Sequence, residues 1–217
     1  MTDRFLKIKE WTSKTNYEFF DSLIPYTDDE KCVIVSDVAE ELMKRRGYNN
    51  LNSVEIILIY TTQHFFKVSN NQYKALIYYR LGEFYEKHKE NFIRSYTYYE
   101  KYALNNNKNS GVHSLLLKAL IHRDDFNYSE ELEKELRMSY GETDLGLRSD
   151  RLYENLGTLI VARHNGESEE VTEKLIKRLK AIVKADEVFF PDMLLKKDSI
   201  RDVLDVPKKV IDFINAL

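Results

Sequence analysis

The sequence predicts an all-α protein made of stacked antiparallel helix pairs. Glycine and proline number only 7 and 3 in 217 residues, far below the ~7% and ~5% of an average chain, so turn formers are too scarce for a β-sandwich or barrel. Apolar residues recur at three- and four-residue steps over segments several turns long. These segments open on Ser, Thr, Asp or Asn and close on glycine or basic residues, the start and stop signals of helices. With 43% hydrophobic residues, a chain of this length buries a core without disulfides or a structural metal. One domain is expected over 1–217, with N-terminal helices in 1–70, repeat-like helical hairpins in 71–190 and C-terminal capping helices in 191–217.

In Thr27 to Gly47, Thr27 is placed to cap a helix while Glu30 reaches back, and Lys44, Arg45 and Arg46 precede the closing Gly47. Ile34, Val35, Val38, Ala39, Leu42 and Met43 share its apolar face. Ser53 to Val68 is rich in β-branched and aromatic residues, but its length without Gly or Pro predicts a helix, with Asn52 and Ser53 as caps. Gln72 to His88 and Asn91 to Leu104 form a hairpin, and the polar stretch Asn105 to Gly111 breaks the pattern. Four further helices are expected: Ser110 to His122 with Ser110 as cap, Ser129 to Tyr140 stopped by Gly141, Ser149 to His164 stopped by Gly166, and Ser168 to about Ala185. Pro191 and Pro207 divide the tail, and Pro207 to Leu217 carries Val210, Ile211, Phe213 and Ile214 for a docking helix.

Tyr78-Tyr79-Arg80-Leu81-Gly82-Glu83-Phe84-Tyr85, followed by Ser95 to Leu104 with Tyr96, Tyr98, Tyr99, Tyr102 and Ala103, resembles a tetratricopeptide repeat or its SEL-like relative. The resemblance covers 74–104, with a weaker echo over 151–185 that opens on Arg151-Leu152-Tyr153-Glu154-Asn155-Leu156-Gly157. Gly82 would let the second helix approach closely while Tyr85 and Tyr98 fill the space between the helices. The resemblance implies a right-handed stack of helix pairs that binds a protein or peptide along a concave surface without catalysis.

Several classes of function lack their residues. A net charge of −3 and a pI near 6.0 supply no basic field for nucleic acid. No apolar run approaches the ~20 residues of a membrane span, and the opening MTDRFLKIKEWTSK has no apolar leader, so a cytoplasmic protein is expected. The single Cys32 lies in an apolar context that predicts a buried, inert thiol. His64, His88, His113, His122 and His164 have no metal-ligand spacing, and no dinucleotide or phosphate loop occurs, so neither metal nor cofactor is expected. The His-Arg-Asp at His122 to Asp124 lacks the other parts of a kinase and reads as a helix end with an acidic turn.

Tyrosine stands out, at 15 residues, many of them between Tyr78 and Tyr102. These rings either pack the hairpin interior or, at Tyr79, Tyr96 and Tyr99, face outward as a recognition surface. From His122 to Glu154 ten acidic residues face five basic ones, and Asp124, Asp125, Glu131 and Glu135 are candidates for contact with a basic partner. The expected function is non-catalytic binding of another protein or peptide, in a narrower form inhibition of a partner of the immunity or antitoxin kind. The alternative is a helical enzyme or small-ligand receptor with a site assembled from distant residues such as His113, His122 and His164.

Overall fold

The structure, a computed structural model, describes residues 2–45, 47–106, 111–139, 148–193 and 206–217, with side chains other than those of 2–5, 48, 148 and 185–193. The described residues form eleven helices and no strand. None of these helices is long and apolar enough to cross a membrane. The chain divides into two compact units, Met1–Asn109 and Ser110–Leu217. The boundary falls in the Asn-rich stretch after Leu104, which has no apolar residue to bury.

The first unit holds α1 (Thr2–Trp11), α2 (Asn16–Ser22), α3 (Asp28–Lys44), α4 (Tyr48–His64), α5 (Asn71–Lys87) and α6 (Phe92–Asn105). A Thr-x-x-Glu capping box starts α2 at Thr15 and Glu18, and another starts α3 at Thr27 and Glu30. On α3, Cys32, Val35, Val38, Ala39, Leu42 and Met43 are buried, whereas Ile34, expected with them, is only partly covered. Helix α4 starts at Tyr48 after an extended Gly47 and without a side-chain cap, so Asn52 and Ser53 lie inside it. Its β-branched run stays helical because Val54, Ile57, Leu58 and Thr61 form one buried stripe, while the Thr61 and Thr62 hydroxyls donate to the carbonyls of Ile57 and Ile59 at 2.7 Å. The helix ends at His64, short of Val68, and the following loop is pinned from α3: the amides of Lys67 and Ser69 donate to Asp28 at 3.1 Å and Asp29 at 2.8 Å.

The second unit holds α7 (Val112–Arg123), α8 (Glu130–Ser139), α9 (Arg148–His164), α10 (Glu169–Met193) and α11 (Lys208–Ala216). Ser110 and Gly141, expected as cap and stop, lie outside the described residues, and α7 is preceded by a left-handed Gly111. Gly166, with φ 68°, closes α9 as expected. Its amide bonds the Arg163 carbonyl at 3.2 Å and that of Glu167 reaches back to Ala162 at 3.0 Å, satisfying carbonyls that the helix leaves open. Helix α7 closes in the same way through Asp125 and Phe126, which take positive φ of 51° and 62° without being glycine. The Phe126 ring stacks on Phe213 of α11 at 4.4 Å, which holds that conformation in place while Val210 and Ile214 are buried. Helix α10 runs on through Pro191 to Met193 instead of ending near Ala185. There the proline gives up one backbone hydrogen bond and crowds the carbonyl one turn back, with only Asp192 and Met193 following it in the helix.

Both units repeat one packing order. In the first, α3 packs on α4 and α5, α4 on α5, and α5 on α6; in the second, α7 packs on α8 and α9, α8 on α9, and α9 on α10. Pairing thus begins at α3, ahead of the expected boundary at residue 71. The two Leu-Gly positions, alike in sequence, serve different contacts. A Cβ on Gly82 would fall 2.5 Å from the Tyr99 ring of α6, its own hairpin partner, whereas one on Gly157 would meet methyl groups of Leu136 and Leu117, on α8 and α7, at 3.2 and 3.3 Å. Tyr99 is fully packed and cannot retreat. Gly82→Ala is therefore expected to lower stability by ~1–2 kcal/mol in urea unfolding despite the helix propensity gained, and Gly157→Ala to stay within ~1 kcal/mol of wild type. A stabilised Gly82→Ala would contradict the close approach of α5 and α6.

Candidate functional site

The Tyr-rich hairpin is mostly interior. Tyr85 and Tyr98 stack across it with parallel rings 5.5 Å apart, as expected. The ring lying against Gly82, however, is Tyr99, only 1% exposed, where an outward position was expected. The inner face of α6 is centred on Ser95 and Tyr99. Burial and the neighbouring Glu86, which accepts the Tyr99 hydroxyl at 2.8 Å, push that phenol well above its ordinary range. Tyr85 is driven up to about 12 by burial and by donating to Glu55 at 2.7 Å, while Arg94 donates to the same phenol oxygen at 2.9 Å. Tyr79 is half-buried against Tyr99 and Tyr102, and Tyr96 is half-buried as well. The three tyrosines do not make one exposed surface.

The acidic candidates are also dispersed. Glu135 is 6% exposed and bonds His113 at 2.6 Å. Burial works against the charge of Asp124, but hydrogen bonds from Arg123 and Ser129 hold its carboxyl below the usual range. Asp125 is exposed and pairs with Lys209 at 2.6 Å, and Glu131 is exposed 3.8 Å from Arg123. Of the four, only Asp125 and Glu131 face solvent.

The histidines do not meet in a common site. His113 is held by Glu135, His122 shares a hydrogen bond with Tyr153 at 2.7 Å, and His164 stacks on Tyr128 at 3.5 Å. Among the described residues no group of three or more His, Cys, Asp and Glu is placed to hold a metal ion. Burial raises the Cys32 thiol to about 12, so it is inert at neutral pH. Glu154 is 7% exposed, and its Oε1 has no hydrogen-bond partner. Burial and the nearby Asp150 raise its carboxyl above the ordinary range.

A concave feature of the first unit lies elsewhere, in a cleft of about 500 Å³ between α1, α3 and α5. Lys7 and Trp11, one turn apart, line it from α1. Glu30, Val33, Ile34 and Asp37, with Asp29 beside them, present the stripe of α3 that turns away from its core face, which explains why Ile34 is not buried with Val35 and Val38. Tyr26 enters from the turn before α3 and Tyr73 from the first turn of α5. Trp11 and Tyr26 meet edge to face at 6.3 Å. The lining is thus aromatic and aliphatic on its walls, with three carboxylates and one lysine. The signals for it in the sequence are the only tryptophan of the chain and the polar stripe of α3, but nothing local joins α1 to α5.

Fold and cleft together define an all-α protein of packed neighbouring helices, with one open aromatic cleft described in its first unit. Comparisons with protein-family models, with curated proteins and with solved structures found no match.

One titration follows from the geometry. Burial, and then the charges of Lys118 and Lys209, depress His122 from 6.5 to about 4. Between these values the unfolded chain takes up a proton that the folded chain refuses, so stability is lost as pH falls from about 6.5 to 4, by ~3 kcal/mol in total. Denaturant unfolding at pH 7 and pH 4 should show wild type losing about that much more than His122→Gln. Equal losses in the two proteins would mean that His122 titrates normally in the fold.

Proposed function

We propose that the chain is a non-catalytic protein- or peptide-binding scaffold of the tetratricopeptide-like kind, and that it binds through the α1, α3 and α5 cleft. The observation that carries this reading is the cleft itself. It opens on α3 and α5, the first helices of two successive pairs, which is the side that lines the concave surface in stacked helix-pair repeats. Its size and largely apolar walls suit a short peptide segment, with a few polar groups to orient it. The shared packing order of the two units supports the repeat-like part of the reading.

Neither the inhibitor form of this reading nor the enzyme or receptor alternative gains a carrier from the geometry. Glu135 and Asp124 are engaged inside the second unit, and His113, His122 and His164 each serve a separate neighbour.

The test is a selection of displayed random peptides on the whole chain, repeated with Ile34→Arg, which sets a charge on the apolar wall at a residue that only borders the core. Enriched sequences with a shared motif, binding wild type and at least about tenfold weaker on an Ile34→Arg protein of unchanged helicity, are the expected outcome. No enrichment, or binding indifferent to the substitution, would overturn the reading.

A further inference from the structure

We propose that this cleft receives a cationic side chain, a lysine or arginine presented by a basic segment of a partner protein; this rests on the peptide-binding reading above. The walls are the first argument. Trp11, Tyr26 and Tyr73 come from three different parts of the chain to line one cavity. The face of each ring carries the negative end of its quadrupole, and tryptophan is the strongest of the aromatic side chains at attracting a cation in this way.

Charge is the second argument. Asp29, Glu30 and Asp37 line the cleft, where Lys7 is the one cation among the described lining residues, and Asp37 already has a partner of its own. Two of these carboxylates are positioned in advance. Asp29 accepts from the amide and hydroxyl of Ser69, and Glu30 uses its Oε2 to accept from the amide and hydroxyl of Thr27 at 2.9 Å each. A carboxylate offers about four acceptor sites, so each keeps capacity for an incoming N–H donor. Because both are already fixed by the fold, little ordering is required when a ligand arrives.

The third argument concerns the cations of the chain itself. Lys31 and Lys74, neighbours in sequence of cleft residues, are turned to other rings and charges: Lys31 lies 3.2 Å from Asp28 and 4.5 Å over Phe65, and Lys74 lies 5.8 Å over Phe66. Lys7 is exposed at the edge of the cleft. Among the described residues the cleft thus offers an incoming cation the aromatic faces and the carboxylates of Asp29 and Glu30. An acidic or phosphorylated segment would meet like charge there, and a purely apolar one would desolvate the carboxylates without pairing them.

Trp11 is the only tryptophan and lines both this cleft and a smaller one toward α2 and α4. Its emission therefore reports binding at either, and a substitution at Glu30, which lines the first alone, tells them apart. The experiment titrates the whole chain with two synthetic peptide pools of random flanks, one with lysine or arginine at the centre and one with norleucine, and then with lysine amide as the free cation. The expected result is a shift of Trp11 emission with the cationic pool at an affinity on the order of tenfold tighter than with the norleucine pool. That advantage should shrink severalfold in Glu30→Gln, which keeps a capping side chain at this position, and in high salt, with helicity unchanged. Equal affinity for the two pools overturns the cation preference while leaving peptide binding in place. A shift with lysine amide as strong as with the cationic pool overturns the partner segment in favour of a free small cation. No response to either pool removes both this inference and the reading beneath it.

Discussion

Helix α5 touches α3, α4 and α6, and a helix so surrounded must give up side-chain volume somewhere. It does so at Gly82, where the Tyr99 ring occupies the space of a side chain. With α6 seated this closely, the Tyr99 hydroxyl reaches Glu86 one turn further along α5, so a buried carboxylate and a buried phenol satisfy each other. The remaining faces of α5 carry their own ties: Arg80 bonds Ser36 at 3.2 Å and pairs with Glu40 on α3, and Tyr85 bonds Glu55 on α4. The position of Tyr73, and with it one wall of the cleft, follows from these contacts. The cleft is a by-product of how α5 is wedged into the first unit.

The second unit uses the same packing order with different chemistry. Helix α9 takes the place of α5, yet its glycine faces the preceding pair, and its large buried aromatic is Tyr153, bonded to His122 on α7. The polar interior of the first unit relies on carboxylates with phenols and arginine, that of the second on imidazoles with a carboxylate and a phenol. Similar Leu-Gly sequences therefore mark helices with similar neighbours, not equivalent contacts.

What could be read in the sequence divides along the range of the interactions. The Thr27 and Glu30 capping box, the Gly166 stop and the helical character of 53–64 depend on groups within a few residues of one another, and all are visible there. The facing of α6 is not. Tyr96, Tyr98, Tyr99 and Tyr102 spread over about half the circumference of that helix, wider than the face that packs inward, and the feature that picks Tyr99 is the missing side chain on another helix. Glu135 was legible only as a charge on an acidic helix, because the partner that lets it be buried, His113, comes from α7. The contribution of Trp11 to a cleft emerges only once α1 packs on α3.

Asp28 and Asp29 each do two things at once. As the first residues of α3 they place negative charge where the helix has unsatisfied amides, and their carboxylates also receive the amides of Lys67 and Ser69 from the loop that leads into α5. A fluctuation that frays the start of α3 therefore releases that loop, and a fluctuation that frees the loop takes away the amide donors that hold the first-turn carboxylates of α3 in place. The two segments open together as a single cooperative unit, so hydrogen exchange at Lys67 and Ser69 would keep pace with the first turn of a helix some forty residues away.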